Sequence, residues 1–289
     1  MTARAVRAKR QAGAPWLVRL TVFVIVAVWT IPSLGLLTNS FRTSVGSSSS
    51  GWWTSLFSPF SSEWTLDNYR RVLTSGGMFD ALVNSLMVTI PSTVIPITLA
   101  AFAAFAFAWI RFRGRSLLFG IVVGLLVVPL QLSLVPLLRI YQSTQLTGSF
   151  VGIWLAHTGF GLPLAVFLLY NYISQLPKDI FESAFIDGAT PYTAFTRLVL
   201  PLSVPALASF AIFQFLWVWN DLLVALVFLG TSSDVSVLTI ELASIVGSRG
   251  EAFHLLTAAA FVSMVIPLLV FLSLQRFFVR GILAGSVKG

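Results

Sequence analysis

Six times along this chain the residues stay apolar for about 20 positions or more, the length an α-helix needs to cross roughly 30 Å of hydrocarbon. The runs cover 17–38, 82–110, 117–138, 150–173, 207–229 and 255–278. In lipid a backbone can satisfy its N–H and C=O groups only within helices or a closed barrel, and runs this long and this uniformly apolar predict helices. Only 10% of the residues are charged while 57% are hydrophobic, whereas soluble domains carry about 25% charged residues. A soluble globular domain is therefore excluded. The expected fold is an all-α membrane protein with six transmembrane helices. The first run exceeds the apolar core of a signal peptide, about 7–15 residues, and reads as a retained span.

Charge sets the expected orientation. Of the 18 Lys and Arg residues, Arg42, Arg70, Arg71, Arg139 and Arg249 fall on one side of the six spans and the other thirteen on the side of the N-terminus. The positive-inside rule makes the second side cytoplasmic, with both termini on it. The same rule accounts for the net charge of +8, so nucleic-acid binding is not expected. The organisation that follows is a cytoplasmic tail over 1–16, a first transmembrane helix over 17–38 and an extracytoplasmic loop over 39–81. A membrane core then runs over 82–279 with a cytoplasmic loop at 174–205, and a cytoplasmic tail covers 280–289. The 39–81 loop reads as a flexible Ser-rich stretch followed by a short amphipathic helix, with Trp52, Trp53 and Trp64 at headgroup depth.

The 174–205 loop is the least membrane-like long segment of the core. Pro177 can start a short helix, on which Ile180, Phe181, Ala184 and Phe185 share one face while Asp179, Glu182 and Asp187 lie on the wetter side. Gly188 suits the left-handed turn that ends such a helix. Thr190 and Pro191 then read as the N-cap and first position of a second helix, expected to break at Leu200-Pro201.

Those residues carry a resemblance. Glu182-Ser183-Ala184, Asp187-Gly188-Ala189 and Leu200-Pro201 resemble the EAA loop of binding-protein-dependent ABC importer permeases, with Ser183 in place of the first Ala. The resemblance implies the type I importer permease fold, and it makes Glu182, Ser183, Ala184, Asp187, Gly188, Ala189, Leu200 and Pro201 the coupling contact to an ATPase. The segment Leu66-Asp67-Asn68-Tyr69 and the pair Asn84-Ser85 are similar to sugar-permease sequences. Phe213 to Leu226 and the ending Gln275 to Gly289 resemble the maltose and α-glucoside type of carbohydrate permease, the smaller of its two membrane subunits. From the resemblance the tail residues Gly281, Gly285, Lys288 and Gly289 inherit an ATPase contact. The implied partners are a second permease subunit in a heterodimer, two ATP-binding subunits and an extracytoplasmic sugar-binding protein, in the inner membrane of a prokaryote.

Enzymatic chemistry has no foothold in the sequence. There is no cysteine, the two histidines are far apart, and no lysine stands in a GxxxxGK[ST] phosphate loop, so no cofactor is expected on this chain. ATP and Mg would belong to the partner ATPase. For a translocation path the candidates are Gln131, His157, Gln214, Trp217, Asn220 and Asp221. Asp221 is the one acid inside an expected span, and Gln214, Trp217 and Asp221 form a stripe at i, i+3 and i+7. An intramembrane ionisable group belongs either to a wet pathway or to a packed partner, and the sequence leaves both open. A neutral, aromatic and amide-rich lining suits a sugar better than an ion. A permease for a polyol or glycerol phosphate, and an ion-coupled secondary transporter, are the alternatives.

Overall fold

The apolar runs fold as helices, and the helix ends fall where capping chemistry places them. The computed structural model describes residues 16–75, 77–246 and 252–286, so the expected tail at 1–16 lies outside the described residues except for Trp16. Among the described residues the extended pairing is one isolated antiparallel bridge, Arg42 to Trp64. The chain divides into two compact units, one of residues 1–72 with 245–262 and one of 73–244 with 263–289.

The first unit is built on α1, Trp16–Ser40, whose buried positions are confined to Gly35, Thr38, Asn39 and Ser40 at its end. The rest of α1 presents apolar side chains outward, as a helix in lipid does. The Ser-rich stretch, expected to be flexible, instead forms two short helices, α2 (Ser44–Ser49) and α3 (Trp52–Phe57). Local capping and one arginine explain the order. Thr43 accepts from Gly46 N at 3.1 Å, and the buried Arg42 guanidinium binds Gly46 O and Ser50 O. Trp52 lies directly on α1: a Cβ at Gly35 would come within 2.9 Å of its indole. The expected amphipathic helix follows as α4, Asp67–Ser75. It is held by Asn68 Nδ2, which donates to Ser40 O at 2.9 Å and Arg42 O at 2.8 Å.

The second unit opens with α5, Met78–Trp109. The third apolar run is not a straight crossing. It is broken into α6 (Arg115–Gly124), a 3-10 turn (Leu125–Val127) and α7 (Leu130–Ser143), bent by 103°. Pro129, in extended backbone at the start of α7, has no N–H to continue the first helix. Then come α8 (Phe150–Ile173), α9 (Lys178–Ile186), α10 (Pro191–Ala194), a π-helical turn (Phe195–Val199) and α11 (Leu200–Trp219). Short helices α12 (Leu223–Phe228) and α13 (Leu238–Val246) follow, and α14 is Phe253–Ser286. Five helical stretches are long and apolar enough to cross a membrane, six with the bent pair counted as one span.

Small residues let α5 and α8 approach closely: Ala100, Ala101 and Ala104 are buried against a cluster containing Ala165, Val166 and Leu169. The expected break at Leu200-Pro201 does not occur. The preceding π turn accommodates the residues left without a regular partner, and the helix runs from Pro191 to Trp219. The fifth span accordingly begins and ends earlier than the 207–229 expected, with Asn220 as its C-cap.

Candidate functional site

Two groups of residues singled out in the sequence lie in the second unit. The first is the segment from Pro177 to Pro201. Helix α9 is attached through Phe181, which is fully buried and stacks on Trp109 at 4.0 Å between ring centroids. Trp109, the last residue of α5, donates its indole N–H to the carbonyl of Ile173, the last residue of α8, at 3.2 Å. The helix ends in a Schellman turn, with Ala189 N donating to Ala184 O at 2.9 Å, Gly188 N to Phe185 O at 3.1 Å, and Gly188 at φ 84°. Thr190 caps α10 by accepting from Thr193 N at 3.2 Å.

On this rigid bracket the outward surface is mixed. Glu182, Ser183, Asp187 and Pro201 are exposed, Ala184, Ala189 and Leu200 half-buried. Ser183 turns its hydroxyl back to Asp179 O at 2.8 Å, so in this position it presents little more polarity than alanine. Large apolar side chains stand beside the acids: Ile186 is 85% and Tyr192 71% exposed, with Phe185 and Ile180 near 42% and 41%. The sequence pattern had Ile180 and Phe185 on the packed face with Phe181. Only Phe181 is fully buried, because one aromatic fills the space at the Trp109 ring. The tail residues Lys288 and Gly289 lie outside the described residues, and Gly281 and Gly285 fall within α14.

The second group is scattered over two sites and a surface. A cleft of about 760 Å³ is lined by the 3-10 turn at the bend, α7, the middle of α8 and three residues of α11, Phe213, Gln214 and Trp217. Its walls are nearly all apolar and contain no charged side chain. Gln214 is buried and donates to Ser92 O at 3.1 Å. Gly161 makes room for it, since a Cβ there would lie 2.6 Å from the amide nitrogen. Pro96, four residues on in α5, has no N–H and leaves Ser92 O without its helical donor, whereas Gly161 carries no signal that a single sequence could reveal.

His157 and Asp221 instead meet in a separate small pocket, with His157 Nε2 3.8 Å from Asp221 Oδ2 and Ser85, Thr89 and Thr239 around them. Trp217, on the wall of the large cleft, lies edge-on to His157, 5.3 Å between centroids. Asp221 does not lie inside a span. It sits at the break after α11, one residue before Leu222, the N-cap of α12, and its carboxylate accepts from Val224 N at 3.3 Å and Ala225 N at 3.0 Å in the first turn of that helix. The expected stripe therefore stops at Trp217, two residues before the helix ends. The pattern Asp221-Leu222-Leu223, an acceptor side chain before an apolar run, was the signal for this end. Asn220 is exposed and bonds back to Leu216 O at 2.7 Å, and Gln131 is exposed outside the cleft lining.

With this geometry in hand the relatives can be placed. The family model for the binding-protein-dependent transport system inner membrane component matches residues 96–284. The osmoprotective compounds uptake permease protein GgtD of Synechocystis sp. is 57% identical over 94% of this chain and 91% of its own. The alpha-glucoside transport system permease protein AglG of Rhizobium meliloti is 42% identical, covering 97% of this chain and 99% of the relative. In fold, the chain matches a subunit of a bacterial ABC transporter involved in the import of the acidic polysaccharide alginate, with a TM-score of 0.66 at 16% identity, over 95% of this chain and 99% of that one.

Proposed function

Because this chain belongs to the family of binding-protein-dependent transport system inner membrane components, we propose that it is a permease subunit of an ATP-driven sugar importer. It forms part of the transmembrane path together with a second permease subunit, receives substrate from an extracytoplasmic binding protein, and carries no ATP site of its own. Two ATPase subunits with ATP and Mg supply the energy. They meet the permease at the Glu182–Pro201 segment, on the cytoplasmic side with both termini.

One observation carries the coupling assignment: α9 is anchored to the ends of two spanning helices through the buried Phe181, yet leaves Glu182, Phe185 and Ile186 exposed, with Tyr192 of α10 exposed beside them. Uncovered apolar side chains rimmed by carboxylates are what a protein partner buries. Glu182→Lys reverses a surface charge, and Gly188→Leu forces a Cβ into a left-handed backbone conformation. Both should leave membrane insertion intact, abolish uptake and weaken ATPase copurification. Normal uptake in both variants refutes the assignment.

For the substrate we propose an α-glucoside, on the names of the relatives and the uncharged lining of the cleft. A small osmoprotective compound is the second reading, favoured by the 57% relative. Calorimetric titration of the cognate binding protein with α-glucosides and with small neutral osmolytes separates the two.

A further inference from the structure

The first unit holds a buried cation that meets no carboxylate among the described residues. Arg42 is only 3% exposed, at the turn after α1. Its guanidinium donates to Ser50 O at 3.0 Å, to Ser50 Oγ at 2.6 Å and to Gly46 O. These are neutral acceptors, and they use three of the five N–H groups. No carboxylate among the described residues lies within 4.0 Å of it. The neighbouring acid, Glu63, accepts instead from Thr43 Oγ1 at 3.1 Å. Burial pulls the Arg42 pKa down from its ordinary value, but arginine starts too high to lose its proton, so the charge stays and wants a counter-ion.

A second group points to the same place. Asn39, 4% exposed, accepts from Ser47 Oγ at 2.8 Å through Oδ1, while its Nδ2 has no hydrogen-bond partner among the described residues. A buried amide donor left unsatisfied is costly. Asn39 and Arg42 both line one recess of about 310 Å³, together with Ser47 and Ser50 and the apolar Pro32, Leu36, Trp52 and Phe253. The recess thus has a polar end carrying a cation and a free N–H, and an apolar end continuous with the outward face of a spanning helix. Both features match a phospholipid: phosphate oxygens at the first, the start of an acyl chain at the second.

We infer that this recess is a binding site for the headgroup of an anionic phospholipid, with the phosphodiester held by Arg42 and Asn39 and the glycerol and upper acyl chain lying along Leu36 and Trp52. The site rests on the membrane location of α1 and not on the transport reading, so its failure would leave that reading standing. A net-negative lipid fits because Arg42 meets no carboxylate among the described residues, and the glycerol-linked chain distinguishes the lipid from a free anion.

The test is Asn39→Asp. It keeps the shape and the acceptor for Ser47, and it supplies Arg42 with an internal carboxylate where the phosphate would sit. The full chain, purified in mild detergent with the subunits that accompany it, is titrated with phosphatidylglycerol, phosphatidylcholine and inorganic phosphate. Native mass spectrometry counts retained lipid and a thermal melt reports stabilisation. The wild type should retain and be stabilised by phosphatidylglycerol over phosphatidylcholine, and retention should fall roughly tenfold in Asn39→Asp, the cost of placing one charge against another at short range. Equal retention in both proteins, or no preference between the two lipids, overturns the site. Protection by inorganic phosphate at the same concentration overturns the lipid in favour of a free anion. Should Asn39→Asp fail to fold, Leu36→Trp fills the apolar end without touching either polar group. Unchanged phosphatidylglycerol retention there overturns the site as well.

Discussion

Asp221 offers the sharpest test of how the break after α11 is held. Its two carboxylate oxygens accept from Val224 N at 3.3 Å and Ala225 N at 3.0 Å, at the start of a helix whose Val224, Ala225 and Phe228 are all buried. Losing a capping acceptor of this kind costs about 0.5–2 kcal/mol. Asp221→Ala should therefore destabilise by about 1–2 kcal/mol, a loss read as a lower thermal midpoint and a lower yield of assembled complex. Asp221→Asn keeps one acceptor oxygen but turns an NH2 toward the other N–H, so it should lose about half of that. Uptake per assembled complex should be normal in Asp221→Asn, since Asp221 lies apart from the large cleft. The decisive comparison is between the two variants, measured for yield and uptake in parallel. If Asn costs as much stability as Ala, the charge facing His157 matters and the cap does not. If Asn assembles normally but changes substrate range, Asp221 belongs to the path and the capping argument fails.

Other expectations follow from the same contacts. Phe181→Ala removes a fully buried ring from its stack on Trp109, a change worth about 3–5 kcal/mol in a packed core; it should undock α9, so uptake is lost while the chain still inserts, and retained uptake would refute the anchor. Gly161→Ala brings a Cβ to within 2.6 Å of the Gln214 amide; displacing that amide strands Ser92 O and should cost about 1–3 kcal/mol in thermal stability. Asn220→Ala breaks only an exposed local bond to Leu216 O, and it should leave assembly and uptake unchanged in a standard transport assay.

How much of this was legible follows from which forces act locally. Apolar run length fixes a membrane helix almost by itself, and the runs at 17–38, 82–110, 150–173 and 255–278 reappear within a few residues as α1, α5, α8 and the apolar part of α14. Turn chemistry is local too, so Gly188 and Thr190 were readable as a left-handed turn and a cap. The third run was not readable in the same way. A proline at 129 permits a kink or a full break, and tertiary packing decides between them. Leu200-Pro201 failed in the opposite sense, since a π turn absorbed a proline that should have ended the helix. For the candidate path, a stripe at helical spacing presumes a continuous helix. Once α11 stops at Trp219, Asp221 leaves the stripe and takes the first amides of α12, while Gln214 is claimed by Ser92 O, a carbonyl that Pro96 leaves without a helical donor but that lies 122 positions away, too far for the pairing to be read from the sequence.

The Trp109 ring deserves a last mechanical reading. It is riveted to the final carbonyl of α8 and is itself the final residue of α5, so Phe181 touches two spans through one point. A stacked aromatic pair resists separation strongly but swivels at little cost, which makes the joint a pivot instead of a weld. Load applied to the exposed face of α9 therefore reaches the end of α5 at the Trp109 ring and the end of α8 through the hydrogen bond of that ring to Ile173 O. Small tilts of α9 are then expressed as a shared rotation of two helix ends, and the length of the lever is set by the distance from the ring to Glu182, a single residue away in sequence.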